Sequence, residues 1–378
     1  MIRTTCAACK TPLAHTAPRC GGCHTPYCGR DCQKQHWKAG HKKDCKKIEL
    51  GGGAEQYYAD KKCAEAVAVA VEECAADTQG QTCYICTEAL HWKTREGLVR
   101  GCACRGTAGF VHVSCPAEQA KIWVAEAEEN NLGKKAEDER FARWYSCSQC
   151  KQEYYGVTRC ALGWACWKTY LGRSKGDWSQ CLAMDQLANG LYAADRYEDA
   201  LSVREVELSA MRRLGAPEES MLAVQGNLAA TYGEVGRSEE AANSFRDVYF
   251  GTLKLYGEEE AETLRATNNY ANSLFDLQRF KEGKILLRKP IAVARRVFGE
   301  TDRNTLKIRS LYAQALYRDQ DATLDDLREA VVTLENLDRT ARRVLGGAHP
   351  TTVNIERALQ MARAMLAARE TPPTTSRT

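Results

Sequence analysis

Apolar and polar positions divide the chain into two regimes. From about residue 180 onward, Leu and Ala recur among Glu and Arg at helical spacing, the pattern of helices that bury one stripe. Glycine breaks punctuate this region at Leu214-Gly215, Tyr256-Gly257, Phe298-Gly299 and Leu345-Gly346, spaced 42, 42 and 47 residues apart. Six residues after the last three glycines stand Thr263, Thr305 and Thr352. Each glycine suits a left-handed helix C-terminus, and each threonine suits the cap of the next helix. Small residues at Ala200, Ala241 and Gly283 allow paired helices to approach closely. Pro290 falls inside a predicted helix, where it costs about 3 kcal/mol and predicts a kink. Extra length between Tyr317 and Asp325 predicts a longer turn.

The first half has little such periodicity. Gly51-Gly52-Gly53 precedes an Ala-, Glu- and Lys-rich stretch, residues 54–76, that reads as a helix. Its run 64–71, apolar but for Glu65, is far too short to span a bilayer. Residues 117–129 and 134–144 read as helices broken at Asn130-Asn131-Leu132-Gly133. Residues 1–10 lack the apolar core of a signal peptide. A soluble protein with no membrane partner is expected. The segment 371–378, with Pro372-Pro373, is expected to be disordered.

Cysteine usage changes the picture. There are nineteen, an odd total with recurring Cys-x-x-Cys pairs, which argues for zinc rather than disulfides. Two sets of eight ligands stand out. The first is Cys6, Cys9, Cys20, Cys23, Cys28, Cys32, His41 and Cys45. The second is Cys83, Cys86, Cys102, Cys104, His112, Cys115, Cys147 and Cys150. Each set suits two tetrahedral ions, so four zincs are expected. Two-residue gaps let both sulfurs of a knuckle reach one ion, and three-residue gaps place ligands one helical turn apart. Cys63, Cys74, Cys160, Cys166 and Cys181 remain as reduced, structural residues. Zinc thiolates imply a reducing compartment, cytoplasmic or nuclear. The formal charge of +4 falls to −2 once fourteen thiolates and four divalent ions are counted, so no global attraction to nucleic acid is expected. Lysines 34, 38, 42, 43, 46 and 47 read as a solvated basic face, with a nuclear-localisation or nucleic-acid role as the alternative. His24 and His36 are rival ligands, more simply read as surface or packing residues.

The run Tyr27-Cys28, Cys32-Gln33, His36-Trp37-Lys38 and His41-Lys42 resembles the MYND zinc finger. That resemblance implies a cross-brace, with Cys6, Cys9, Cys28 and Cys32 on one zinc and Cys20, Cys23, His41 and Cys45 on the other. It also implies binding of short proline-containing peptides. No SET methyltransferase motif accompanies it. The string Cys102-Ala-Cys104 through His112-Val-Ser-Cys115 resembles the RING-CH finger, or RING variant. This implies Cys83, Cys86, His112 and Cys115 on one zinc, and Cys102, Cys104, Cys147 and Cys150 on the other. A PHD finger, a histone-tail reader, uses the same ligand order. The single residue between Cys102 and Cys104 and the seven before His112 favour RING-CH; the 31 residues between Cys115 and Cys147 favour PHD. A RING ligase acts by holding a ubiquitin-charged conjugating enzyme in a reactive conformation. The resemblance assigns Ile85 as the apolar contact for that enzyme and Lys151 as a ubiquitin-side contact. The usual tryptophan position holds Gln119, and Trp123, one turn further on, is the candidate substitute. Each of Trp123 and Lys151 has an equally plain reading as a packing or surface residue.

The 42-residue units resemble tetratricopeptide repeats (TPR) of the kinesin-light-chain form. The expected fold is mainly α: a C-terminal TPR helical-hairpin superhelix preceded by two small cross-braced zinc domains of irregular α+β structure. The expected segments are a MYND finger at 1–48, a helical linker at 54–78, a RING-CH finger at 80–155, an aromatic helical connector at 156–180, TPR repeats at 181–370 and a tail at 371–378. After Cys150, Tyr154, Tyr155, Trp164, Trp167 and Tyr170 form an aromatic cluster that suggests core packing against the first repeat rather than a nucleic-acid surface. The implied function is a ubiquitin ligase whose MYND finger and TPR groove recruit proteins or peptides. The alternative is a scaffold of the same modules without catalysis.

Overall fold

The computed structural model describes residues 5–11, 13, 17–104, 106, 108–173, 177–347 and 349–370. The tail expected to be disordered lies outside them. The chain forms two compact units, Met1–Ala216 and Pro217–Thr378. Among the described residues helix is the main regular structure, and β pairing is confined to three isolated bridges, Arg19–Pro26, Val99–Val111 and Ser146–Glu153. No helix among them is long and apolar enough to cross a membrane.

The first unit begins with α1 (Arg30–His36) and α2 (Lys42–Leu50), joined through a widened turn at Trp37–His41 where Gly40 has φ 130°. There follow α3 (Ala54–Glu73), the single turn α4 (Ala75–Thr78), α5 (Ser114–Glu129), α6 (Lys134–Phe141), α7 (Gly156–Tyr170), α8 (Trp178–Ala193) and α9 (Tyr197–Leu214). Helix α3 buries only small residues, Ala54, Ala59, Cys63, Ala66 and Ala70, so its backbone settles closely onto α7. Helix α7 is the hub. Trp164, Trp167 and Tyr170 are buried along it, with Tyr154 just before it, whereas Tyr155 is exposed and stands outside the cluster. Helix α8 crosses α7 backbone to backbone. A Cβ on Gly163 would lie 2.7 Å from the Gln186 carbonyl oxygen, and one on Gly190 would lie 2.8 Å from that of Arg159. Cys160 and Cys181 are buried here, and burial pushes both thiols up to about 11, which leaves them inert at neutral pH.

The second unit contains α10 (Glu218–Glu234), α11 (Ser238–Tyr256), α12 (Ala261–Asp276), α13 (Phe280–Val297), α14 (Arg303–Arg318), α15 (Leu324–Leu345) and α16 (Pro350–Glu370). Each packs on the next, and α12, α14 and α16 also touch one another in turn along one side. This is a TPR-like array of antiparallel hairpins. The role of Gly283 is steric, since a Cβ there would meet the Phe275 ring at 2.3 Å. Helix α13 continues across Pro290 from Phe280 to Val297 without a break. The longer turn before α15 closes with a capping box between Thr323 and Asp326.

Two expectations about the repeats need correction. Of Gly215, Gly257 and Gly346, only Gly215 is left-handed helical, with φ 61° and ψ 39°. Gly257 and Gly346 combine φ 87° and 86° with ψ −179° and 157°, a region essentially closed to other residues. The threonines are not caps. Thr263 and Thr305 lie in the first turn of α12 and α14, after the N-caps Glu260 and Asp302. Their hydroxyls point back to the preceding helix. Thr263 donates to the Gly257 carbonyl at 2.7 Å, and Thr305 donates to the Ala294 carbonyl at 3.2 Å. The Gly257 carbonyl lies past the helix end and gains the threonine as a partner, whereas the Ala294 carbonyl also accepts from the Phe298 amide at 2.9 Å. Gly257→Ala is therefore expected to destabilise the second unit by about 1–3 kcal/mol in urea denaturation followed by circular dichroism.

Candidate zinc centres

Four segments share one backbone device. In Cys6–Lys10, Cys20–His24, Cys83–Thr87 and Cys147–Lys151, the amide of the last residue donates to the carbonyl of the first at 2.8–3.0 Å. The amide of each first cysteine in turn donates to a residue five positions on, at 2.8–3.0 Å. The residue after each second cysteine has positive φ: 65° at Lys10, 58° at His24, 64° at Thr87 and 60° at Lys151. This turn folds both sulfurs to one side, with two residues at its tip. The remaining ligands come from helices and extended chain. Cys32 lies on α1, Cys45 on α2 and Cys115 on α5, while His41 ends the widened turn before α2.

The structure gathers these side chains into four groups: Cys6, Cys9, Cys28, Cys32; Cys20, Cys23, His41, Cys45; Cys83, Cys86, His112, Cys115; and Cys102, Cys104, Cys147, Cys150. The donor atoms of each group lie within 4.8 Å of one another. Tetrahedral zinc with sulfur at 2.3 Å requires sulfur–sulfur edges of about 3.8 Å and sulfur–nitrogen edges of about 3.6 Å. The observed edges are 3.6 Å for Cys9–Cys28, 3.7 Å for Cys20–Cys45 and 3.8 Å for Cys104–Cys147, with a shorter 3.3 Å for Cys28–Cys32. The nitrogen edges are 3.3 Å for Cys23–His41, 3.3 Å for Cys86–His112 and 3.7 Å for Cys115–His112. Soft sulfur donors in this geometry fit zinc, and four zinc ions are assigned to the chain. Four protein donors per ion leave no open position, so the ions brace structure and do not activate water.

The electrostatics agree. Without an ion the sulfurs compete for protons. Hydrogen bonding from Cys115 holds Cys83 down to about 4, and the same contact pushes Cys115 up. The Thr11 hydroxyl and amide lower Cys9 to about 6, whereas the neighbouring Cys28 raises Cys32 to about 12. Four thiolates can coexist only around a cation, and binding it must expel protons.

Outer contacts orient the histidines. The Nδ1 of His112 faces its sulfurs, and its Nε2 donates to the Ala89 carbonyl at 3.3 Å, which fixes the tautomer. The Nε2 of His41 faces Cys23. His36 and His24 belong to none of the four groups. His36 instead stacks on His41 with ring centroids 4.7 Å apart, and its Nδ1 shares a 2.8 Å hydrogen bond with the Tyr27 hydroxyl. Its position one turn before His41 is the sequence signal for this supporting role. His24 occupies the positive-φ position of its turn.

A cleft of 1430 Å³ opens in the first unit between α3, α5 and the first turn of the second finger. Ile85 and Trp123 both line it; Lys151 does not. Ile85 is half-buried at a turn tip, and Lys151 is exposed after the last cysteine. The guanidinium of Arg143 lies 4.8 Å from the Trp123 ring.

The chain is a zinc-finger protein. Residues 6–45 match the MYND finger, and residues 83–150 match the RING-variant domain. No curated protein matches it. Among solved structures, the kinesin light chain TPR-like repeats of Podosopora anserina are 16% identical, covering 60% of this chain and 97% of that one at a TM-score of 0.44. BtubC (BKLC) from P. vanneervenii is 14% identical, covering 70% and 96% at 0.37. A Rap protein complexed with Competence and Sporulation Factor is 14% identical, covering 67% and 73% at 0.39.

Purified protein is expected to carry four zinc ions by elemental analysis. A strong chelator should remove them and unfold residues up to about 150, while most helical signal from the second unit persists. Because the metal-free groups hold more protons, falling pH must weaken binding. Zinc release read with an indicator dye should rise steadily on acidification from pH 7 to about 5.

Proposed function

We propose that the protein is a RING-variant ubiquitin ligase whose MYND finger and helical repeats recruit protein substrates. The observation that carries this reading is the cleft shared by Ile85 and Trp123. A zinc-braced turn presents the apolar Ile85, and the adjoining helix presents the ring. A ligase of this kind contributes position rather than a covalent intermediate, so it needs a rigid surface more than a reactive group. The closed coordination of all four ions suits that requirement. Zinc thiolates point to a reducing compartment, cytoplasmic or nuclear. A non-enzymatic scaffold is the second reading. Gln119 at the usual tryptophan position and the stacking of Arg143 on Trp123 favour it.

The second unit supports substrate recruitment. Helices α12, α14 and α16 line a groove of 470 Å³ that includes Asn268, Asn269, Asn272, Asn304 and Asn354. Asparagine amides suit the backbone of an extended peptide. Asn268 is buried with its Oδ1 unpartnered. Lys307 lines the same groove, and its pKa is lowered by burial and then by the charge of Arg303. Lys307 makes no ion pair among the described residues, and a half-buried ammonium in that state suits a ligand that brings a carboxylate.

The test of activity is self-ubiquitylation with a panel of conjugating enzymes. Native protein is expected to form chains, and Ile85→Ala to lower the rate at least about tenfold. No product with any enzyme of the panel would leave the scaffold reading. For the groove, Lys307→Glu is expected to weaken binding of acidic peptides by about tenfold or more, measured by fluorescence polarisation.

A further inference from the structure

The loop after Cys86 contains a fifth copy of the zinc turn, built without a metal. In the first copy of this finger, the Cys83 amide donates to Glu88 at 3.0 Å and the Thr87 amide to Cys83 at 2.8 Å. In His91–Glu96, the His91 amide donates to Glu96 at 3.0 Å and the Arg95 amide to His91 at 2.9 Å. Arg95 has φ 60°, matching the 64° of Thr87. His91 and Thr94 therefore stand where the two cysteines would. Hydrogen bonds replace the ion. The amide of Thr94 lies 3.1 Å from His91 Nδ1 and its hydroxyl 2.9 Å away. His91 is buried, and its ring meets the zinc ligand His112 edge-on at 5.4 Å. The Glu96 carboxylate then accepts from the Ser114 amide at 2.6 Å and from its hydroxyl at 3.0 Å, at the start of α5.

All this fixation holds a tip made of Trp92 and Lys93. Trp92 is 71% exposed and lines the same cleft as Ile85. A tryptophan offers a large contact area at low entropic cost when its backbone is already held. Trp123, by comparison, is half-buried, with Arg143 over its ring. The other cations of the cleft are committed: Lys121 pairs with Glu118 at 3.5 Å and Lys168 with Asp60 at 3.7 Å. Lys93 makes no such ion pair among the described residues.

We propose that Trp92 is the aromatic anchor of the conjugating-enzyme interface, and that Lys93 selects enzymes carrying a carboxylate beside the apolar patch that covers it. The inference rests on the ligase reading. In it, the turn closed by His91 and Thr94 does for Trp92 what zinc does for Ile85, and Trp92 fills the role left open by Gln119. His91 and Thr94 are positioning residues, and the docking surface extends from Ile85 across the cleft mouth to Trp92.

The test uses full-length, zinc-loaded protein and the conjugating enzyme that gives the fastest self-ubiquitylation. Affinity is measured by calorimetry beside the rate, and zinc content and circular dichroism are recorded for every variant. Trp92→Ala is expected to weaken binding and slow transfer together by about tenfold or more, while Trp92→Phe stays within about threefold of native. Lys93→Glu is expected to change the rank order of enzymes in the panel. Thr94→Val is expected to lower affinity by a smaller factor with four zincs retained. If Trp92→Ala stays within about twofold of native while Ile85→Ala loses binding, the anchor assignment is wrong and the ligase reading stands. If Trp92→Ala loses zinc or helix, the residue is structural and the assignment is wrong. If no enzyme binds or transfers with native protein, the ligase reading falls and the anchor with it.

Discussion

Thiolates held less than 4 Å apart repel one another unless a divalent ion lies between them, and the first unit is organised around that constraint. In the MYND segment the buried cluster consists of Cys6, Cys20, Cys23, Cys45, Tyr27, Ile48 and Ala54. More than half of that cluster is ligand, so the metal sites are themselves the core. Packing of so few apolar groups cannot offset the conformational entropy of ordering the segment. Coordination supplies the difference, and folding and metal binding become one process.

From this follows the division of labour. The ions set the turns, and the turns set what stands at their tips. Ile85 owes its place to sulfur on both sides of it, and His36 owes its orientation to the ring of His41. The second unit is built on other terms. Leu264, Leu274, Phe275, Leu287 and Ile308 form a core between successive helices, which leaves one side free to carry asparagines and Lys307. The finger segments thus hold their shape by coordination, and the helices from α7 onward by apolar packing.

Much of this is legible in the sequence, for identifiable reasons. A gap length is a geometric statement about which donors reach one ion, so the ligand groups can be read from spacing and resemblance together. Helical stripes of 42-residue period are equally plain. Other features are hidden. Glycine at 257 signals a break, but not whether ψ is helical or extended, because glycine permits both. A threonine near a helix start looks like a cap, yet the hydroxyls of Thr263 and Thr305 face the previous helix, and that depends on packing between helices. The fifth turn escapes a search for cysteine pairs because His-x-x-Thr has no metal signature. The signal is the backbone pattern, which appears only in three dimensions. Gly163 and Gly190 look like poor helix residues until the crossing of α7 and α8 explains them.

That crossing has a mechanical consequence. With no side chain between them, the two backbones meet as hard surfaces, and neither can rotate or slide by adjusting a rotamer. The joint has no play. A load on the hairpin α8–α9 passes to α7, and from there to the helix α3 that walls the cleft, as a displacement of whole elements instead of being absorbed along the way.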